Sequence, residues 1–243
     1  MINKIHFIWW QGWNKLPQKY EKNIKSWQKN NPNHKIYYWD KEKIINLFHK
    51  HSLKIDLLED FELMIQKIDF SKYIILYFYG GYYIDVDIKC NNLLDKFLKK
   101  DKFTLCKIKL FNNINCNLLN NGFFYCPCKS KIMENIIFTC IKNNKYFLLK
   151  NFILEFQTMF ITGPIMLTYK LFYEDVNILD SNTIYECNLE EYNNCENKGL
   201  LGTHLHQLSW MSNNFIRIIK LFIFFKNNIK YFILIIIIYY KIS

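Results

Sequence analysis

The chain alternates between short apolar runs and longer stretches of helical periodicity. Lys4–Trp9 (KIHFIW) is short, apolar and aromatic, the mark of a first strand. Pro17 then opens a predicted helix, with Tyr20, Ile24 and Trp27 at helical spacing and Asn30-Asn31-Pro32 as its stop. His34–Trp39 reads as a second strand and Lys41–His51 as a second helix. A β-α-β-α opening predicts a parallel sheet covered by helices. Asp60–Tyr79 has the pattern of a long helix ended by Gly80-Gly81, since glycine adopts the left-handed conformation that a helix end often needs. Tyr82–Ile88 reads as a strand, as do Phe103–Ile108, Gly122–Cys126 and Thr183–Cys187. Further helices are expected over Lys129–Lys142 and, after Gly163-Pro164, over Ile165–Tyr173, whereas the Asn-rich Asn112–Asn121 reads as a loop.

Composition narrows the class. With 243 residues and 51% hydrophobic content the chain can build one sizeable core. Charged residues at 22% and aromatics at 18% exclude a disordered tail or a fibre. Alanine is absent and Arg217 is the sole arginine, a skew that reflects codon usage more than structure.

Charge then separates the C-terminal part from the rest. From Phe215 onward there are five cations and no acid, leaving +6 of the +11 to the preceding residues. Tyr231–Tyr240 is apolar and uncharged, but a spanning helix needs about 20 such residues. An interfacial or re-entrant segment on an anionic membrane is expected there, with a buried core helix as the rival. The division expected is residues 1–214 as one α/β domain and 215–243 as an apolar basic tail. Met1–Trp10 soon meets polar residues and does not read as a secretory signal, so a cytoplasmic or membrane-associated protein is expected. The eight cysteines lack the CxxC spacing of a metal or redox motif and read as reduced, mostly buried thiols.

Candidate chemistry concentrates in Phe70–Asp87. Asp85 and Asp87 are two apart on a predicted strand, which places both carboxylates on one face and suits a hard divalent cation. Asp69, Lys72/Tyr73 and Leu76 share a helix face leading to the glycine turn, so an acid, a cation and a carboxylate pair converge. A haloacid-dehalogenase-type phosphatase also uses a DxD after a strand, but it needs Thr or Val where Lys89 stands. A basic membrane-surface or nucleic-acid-binding protein accounts for the charge but not for this constellation.

The pattern D-x-x-K-Y-x-x-L-Y-x-x-G-G-x-Y-x-D-x-D resembles the DxD-containing sugar-transfer region of glycosyltransferase family 32, which includes yeast mannosyltransferases, and also the glucosylating domains of clostridial toxins. In those proteins the position of Lys72 is usually arginine. KIHFIWWQG, NGFFYCPCKSKIMENII, ITGPIMLT and HLHQLSW are similar to further family segments in the same order, so the resemblance covers about residues 3 to 210.

The resemblance implies a GT-A fold, an α/β domain with a mixed, mainly parallel sheet flanked by helices. It also implies a metal-dependent, retaining transfer of a hexose (mannose, galactose or glucose) from a nucleoside-diphosphate sugar, GDP-mannose or a UDP-hexose, to a glycan or sphingolipid hydroxyl. Nucleic acid is not an expected partner. By the same resemblance, Trp9, with Trp10 as rival, stacks on the base. Asp69 and Lys72 hold the donor sugar and phosphate. Asp85 contacts the donor or, through water, the metal, and Asp87 binds Mn²⁺ or Mg²⁺ directly. His204, with His206 as rival, is a third ligand, and Ser209 and Trp210 close over the diphosphate. No protein nucleophile or base is nominated.

Overall fold

The structure is a computed structural model that describes residues 3–97, 102–111, 114–146, 154–186, 198–205 and 217. The chain divides into two compact units, Met1–Gln207 and Leu208–Ser243. The first carries the elements described below.

Strand β1 (Asn3–Ile8) runs parallel to β2 (His34–Trp39), in register from Asn3↔His34 to Ile8↔Trp39. The crossover between them is helix α1 (Gln18–Asn30). Pro17 precedes it, where a missing N–H costs nothing, and it buries Tyr20, Asn23, Ile24 and Trp27. Asp40 caps α2 (Lys41–Lys50) by accepting the Lys43 amide at 2.9 Å. A short α3 (Asp56–Glu59) precedes α4 (Met64–Tyr79), which starts four residues later than the periodicity suggests because the Gln66 side chain caps the Leu63 amide. Helix α4 buries every residue from Asp69 to Leu76, charged ones included.

Strand β3 (Gly81–Ile84) follows through the glycine turn, then β4 (Ile88–Cys90), β5 (Thr104–Phe111), β6 (Ile114–Cys126), α5 (Lys131–Tyr146), α6 (Leu154–Ile161), α7 (Pro164–Lys170), β7 (Asn177–Leu179) and β8 (Gly202–His204). The main sheet has the order β2-β1-β3-β6-β5-β7, and β4 and β8 form a separate antiparallel ribbon. Three of the five pairings in the main sheet are parallel, so the mixed, mainly parallel α/β reading holds.

Both faces of the sheet are covered. Ile5, Phe7, Tyr82 and Ile84 pack with Ile24 and Trp27 of α1, while Ile8 and Tyr83 pack with residues of α2 and α4. Alternate residues of each strand thus enter opposite cores. The glycine turn is obligatory. Gly80 and Gly81 have φ of +61° and +103°, and a Cβ on Gly81 would lie 2.6 Å from the Lys4 carbonyl oxygen.

Three expectations are corrected. The Asn-rich stretch expected to be a loop is mostly strand β6: its backbone pairs with β5 (Asn120↔Cys106, Asn117↔Lys109), and ladder bonds do not depend on side-chain polarity. The strand expected over Thr183–Cys187 is absent over its described part, where Ser181–Thr183 is a 3₁₀ turn; the late strands are β7 and β8. Tyr82–Ile88 is not one strand, because β3 stops at Ile84 and β4 begins at Ile88. Cys90, Cys106, Cys126 and Cys140 are buried free thiols and Cys128 is an exposed one. No helix among the described residues is long and apolar enough to cross a membrane.

Candidate active site

The site is built at the carboxyl ends of β1 and β3, the edge where open α/β sheets bind ligands. Asp85 makes the last bond on that side of β3, its amide donating to the Gly122 carbonyl at 2.7 Å. The chain then turns tightly, with the Ile88 amide bonded to the Asp85 carbonyl at 3.0 Å. The aspartate pair therefore sits on a turn, and the turn rather than the strand pleat brings the carboxylates together. The β4–β8 ribbon supplies the third member. Ile88 pairs with His204, and the Leu205 amide donates to the Asp87 carbonyl at 3.1 Å. His204 Nε2 thereby comes within 3.4 Å of Asp87 Oδ1. One ligand atom from each of Asp85, Asp87 and His204 lies within 4.8 Å of the others, and all three residues are partly exposed.

Beside this trio a buried lysine is held by two acids. Lys72 Nζ is 2.9 Å from Asp69 Oδ1 and 3.2 Å from Asp85 Oδ1, with a side chain only 3% exposed. Its ammonium also lies over the Tyr83 ring, 4.8 Å from the centroid. Burial works against its charge, but the Asp69 and Asp85 carboxylates outweigh that penalty and raise its pKa. Asp85 is raised too. Burial is the main cause, opposed by Lys72 and reinforced by Asp87, and the Tyr83 hydroxyl that donates to Oδ1 at 2.8 Å pulls the other way. On the far side, the Thr162 hydroxyl donates to Asp69 Oδ2 at 3.2 Å.

These residues fit a divalent cation. Two carboxylates, Asp69 and Asp85, hold one ammonium, and a third, Asp87, lies beside Asp85, so acids outnumber cations in the cluster. Neighbouring ligands around such an ion stand about 3–4 Å apart, close to the spacing here. Asp85 Oδ1 is taken by Lys72 and Tyr83, while Oδ2 occupies space that only a glycine at 122 leaves open: a Cβ there would lie 2.6 Å from it. An Asp-Asp-His donor set suits Mn²⁺, and carboxylates alone suit Mg²⁺.

Of the residues singled out in the sequence, Asp69, Lys72, Asp85, Asp87 and His204 come together. Trp9 lies just beyond β1, one strand over from Asp85, and packs on Tyr20 with ring centroids 5.5 Å apart. Its indole N–H is buried without a partner among the described residues. Trp10 packs instead against the core on the α4 side. His206, Ser209 and Trp210 lie outside the described residues. The sequence reading missed Tyr83, Gly122 and Thr162. Tyr83 was within its reach, since a residue two before Asp85 on a strand shares its face. Gly122 and Thr162 are 37 and 77 positions beyond Asp85; both fall in segments that resemble the family, but nothing in their spacing ties them to Asp85.

Comparison with known proteins agrees with this geometry. Residues 17–104 match the family model described as a glycosyltransferase sugar-binding region containing a DXD motif. The chain is 29% identical over 206 residues to an uncharacterized glycosyltransferase of Acanthamoeba polyphaga mimivirus, covering 79% of this chain and 76% of that protein. It is 27% identical over 172 residues to inositol phosphoceramide mannosyltransferase 1 of Schizosaccharomyces pombe, covering 68% of this chain and half of that enzyme's length. Among solved structures, the PaToxG glycosyltransferase has a TM-score of 0.53 at 16% identity, covering 72% of this chain and 70% of that one. The UDP-bound glycosyltransferase domain of the YGT toxin also has a TM-score of 0.53, at 11% identity, covering 73% and 79%. At such identities these two matches speak for the fold alone, which is GT-A. The matched region spans the helix, glycine turn and aspartate pair from which the cluster is built, and the chain is a glycosyltransferase of the DXD type.

Proposed function

We propose that this glycosyltransferase is a metal-dependent, retaining hexosyltransferase that moves mannose, galactose or glucose from a nucleoside-diphosphate sugar to a hydroxyl of a glycan or lipid. The observation that carries this reading is the buried Lys72, held between Asp69 and Asp85 directly beside the Asp85-Asp87-His204 trio. Asp87, His204 and Asp85 would hold Mn²⁺ or Mg²⁺. A divalent cation supplies Lewis-acid stabilisation of the negative charge on the leaving diphosphate. Lys72 holds Asp69 and Asp85 in place, so that the pair orients the hydroxyls of the donor sugar and ribose. Trp9, just beyond β1, offers an indole face to the base.

No described side chain is placed as an obvious nucleophile. The reading therefore assigns proton removal from the acceptor to the leaving phosphate, with attack on the donor's own face. Similarity to the fission-yeast enzyme favours mannose as the sugar and a sphingolipid as acceptor. The basic, apolar stretch from Phe215 onward supports the same choice, because it suits an anionic membrane that would carry such an acceptor.

The test is a panel of GDP-mannose, UDP-galactose and UDP-glucose with Mn²⁺ or Mg²⁺, read as released nucleoside diphosphate. One donor is expected to turn over, excess chelator to abolish turnover, and Asp87→Asn to reduce it about 100-fold or more while the melting temperature is kept. Undiminished turnover in chelator, or in the variant, would sink the assignment.

A further inference from the structure

Both oxygens of Asp69 are engaged. Oδ1 binds Lys72 at 2.9 Å and Oδ2 accepts the Thr162 hydroxyl at 3.2 Å, in surroundings where Asp69 is 3% and Thr162 0% exposed. A carboxylate held at both ends cannot rotate about its terminal torsion, which is otherwise soft. Thr162 is itself fixed from both directions. Its carbonyl accepts the Tyr73 hydroxyl at 2.6 Å, and its amide donates to the Thr158 carbonyl at 3.1 Å. Tyr73, next to Lys72 on α4, also receives Asn121 Nδ2 from β6 at 3.4 Å. The hydroxyl of Thr162 has a second acceptor, the Thr158 carbonyl, at 3.5 Å; the nearer and charged Asp69 is the stronger one. Gly163 is needed for this approach, since a Cβ there would lie 2.9 Å from the Thr158 carbonyl oxygen. The turn between α6 and α7 is thus tied through Thr162 to Asp69, through Asp69 to Lys72, and through Lys72 to Asp85.

We propose that Thr162 is a positioning residue for the donor site: its hydroxyl fixes Asp69 and, through Lys72, sets Asp85 at the angle that the donor requires. This rests on the reading of Asp69 and Asp85 as donor-binding groups. In a site of low dielectric such a chain of hydrogen bonds acts as a unit, so loss of one member displaces the others.

The experiment compares Thr162→Val, which keeps the shape and removes the hydroxyl, with Thr162→Ser, which keeps the hydroxyl. Thr168→Val is the control: Thr168 caps the Leu119 amide at 2.8 Å from the same helix pair without touching Asp69. Donor KM is expected to rise about tenfold in Thr162→Val with acceptor KM unchanged. Thr162→Ser should return donor KM to within about twofold of the parent, and Thr168→Val should leave it there. Equal losses in the Val and Ser variants, or in the control, would overturn the proposal, as would an unmoved donor KM.

A second measurement needs no turnover. In denaturant unfolding, Thr162→Val should shift the midpoint in the parent but hardly at all in an Asp69→Asn background. Additive shifts would refute the link between the two side chains. If that coupling is found but no donor is consumed by the parent protein, the assignment of function fails and the link stands. If donors are consumed and donor KM ignores Thr162, the positioning role fails and the function stands.

Discussion

Lys72 concentrates the energetics of the site in one side chain. An ammonium this deeply buried persists only because two carboxylates and a tyrosine ring surround it. Removing it leaves the buried Asp69 and the partly exposed Asp85 without their counter-charge, and breaking a buried pair such as Asp69–Lys72 costs about 3–5 kcal/mol. Lys72→Met is therefore expected to lower the melting temperature by about 10 °C, measurable by calorimetry, and to abolish sugar transfer. Lys72→Arg should retain activity, because a guanidinium can span the same two carboxylates. The pH dependence has a definite sign. The folded protein holds this proton more tightly than the unfolded chain does, so the stabilisation is complete below the ordinary lysine pKa of 10.5 and disappears only as the pH climbs past it. Asp69 and Lys72 were legible as partners from their i,i+3 spacing alone. The same spacing says nothing of Asp85, whose approach depends on where β3 ends.

At the level of elements, the glycine turn between α4 and β3 is held by β1. Trp39 Nε1 donates to His6 Nδ1 at 3.0 Å, so the proton of the neutral ring is on Nε2, which donates to the Gly80 carbonyl at 2.9 Å. Lys4 Nζ caps the Tyr79 carbonyl at 2.8 Å. Burial, aided by Lys4 and opposed by the Gly80 bond, lowers the His6 pKa to about 4. The unfolded chain takes up a proton near pH 6.5 and the folded one near 4, so stability declines as pH falls through that window, by about 3 kcal/mol. Melting temperatures at pH 7, 5.5 and 4.5 should fall accordingly, whereas His6→Gln should start lower and vary less. The elements on this side of the sheet were legible nearly to the residue, because β1, α1, β2 and α2 each carry a clean period and a stop signal. Strand β6 was not, since asparagines conceal a segment whose pairing is made by backbone. Strands β7 and β8, of three residues each, are too short to show any period, and His204 was found only through the resemblance of its surrounding motif.

For the molecule as a whole, the residues beyond Phe215 are proposed to hold the catalytic unit at a membrane. Five cations with no acid are worth roughly 1 kcal/mol each near anionic headgroups. The full chain should float with phosphatidylserine-containing liposomes and a truncation after Asn214 should not. Absence of binding by both, with a truncation that misfolds, would assign the segment to the core instead. A different consequence follows from the β4–β8 ribbon. His204 stands 117 residues beyond Asp87, yet the two meet through that ribbon. During synthesis the aspartates leave the ribosome about 6–23 s before the histidine, at roughly 5–20 residues per second. Until then the aspartates lack their third partner. A nascent or prematurely terminated chain therefore carries the whole matched motif without His204, and on the proposed reading it gains competence to handle a sugar donor only when almost the entire domain has been made.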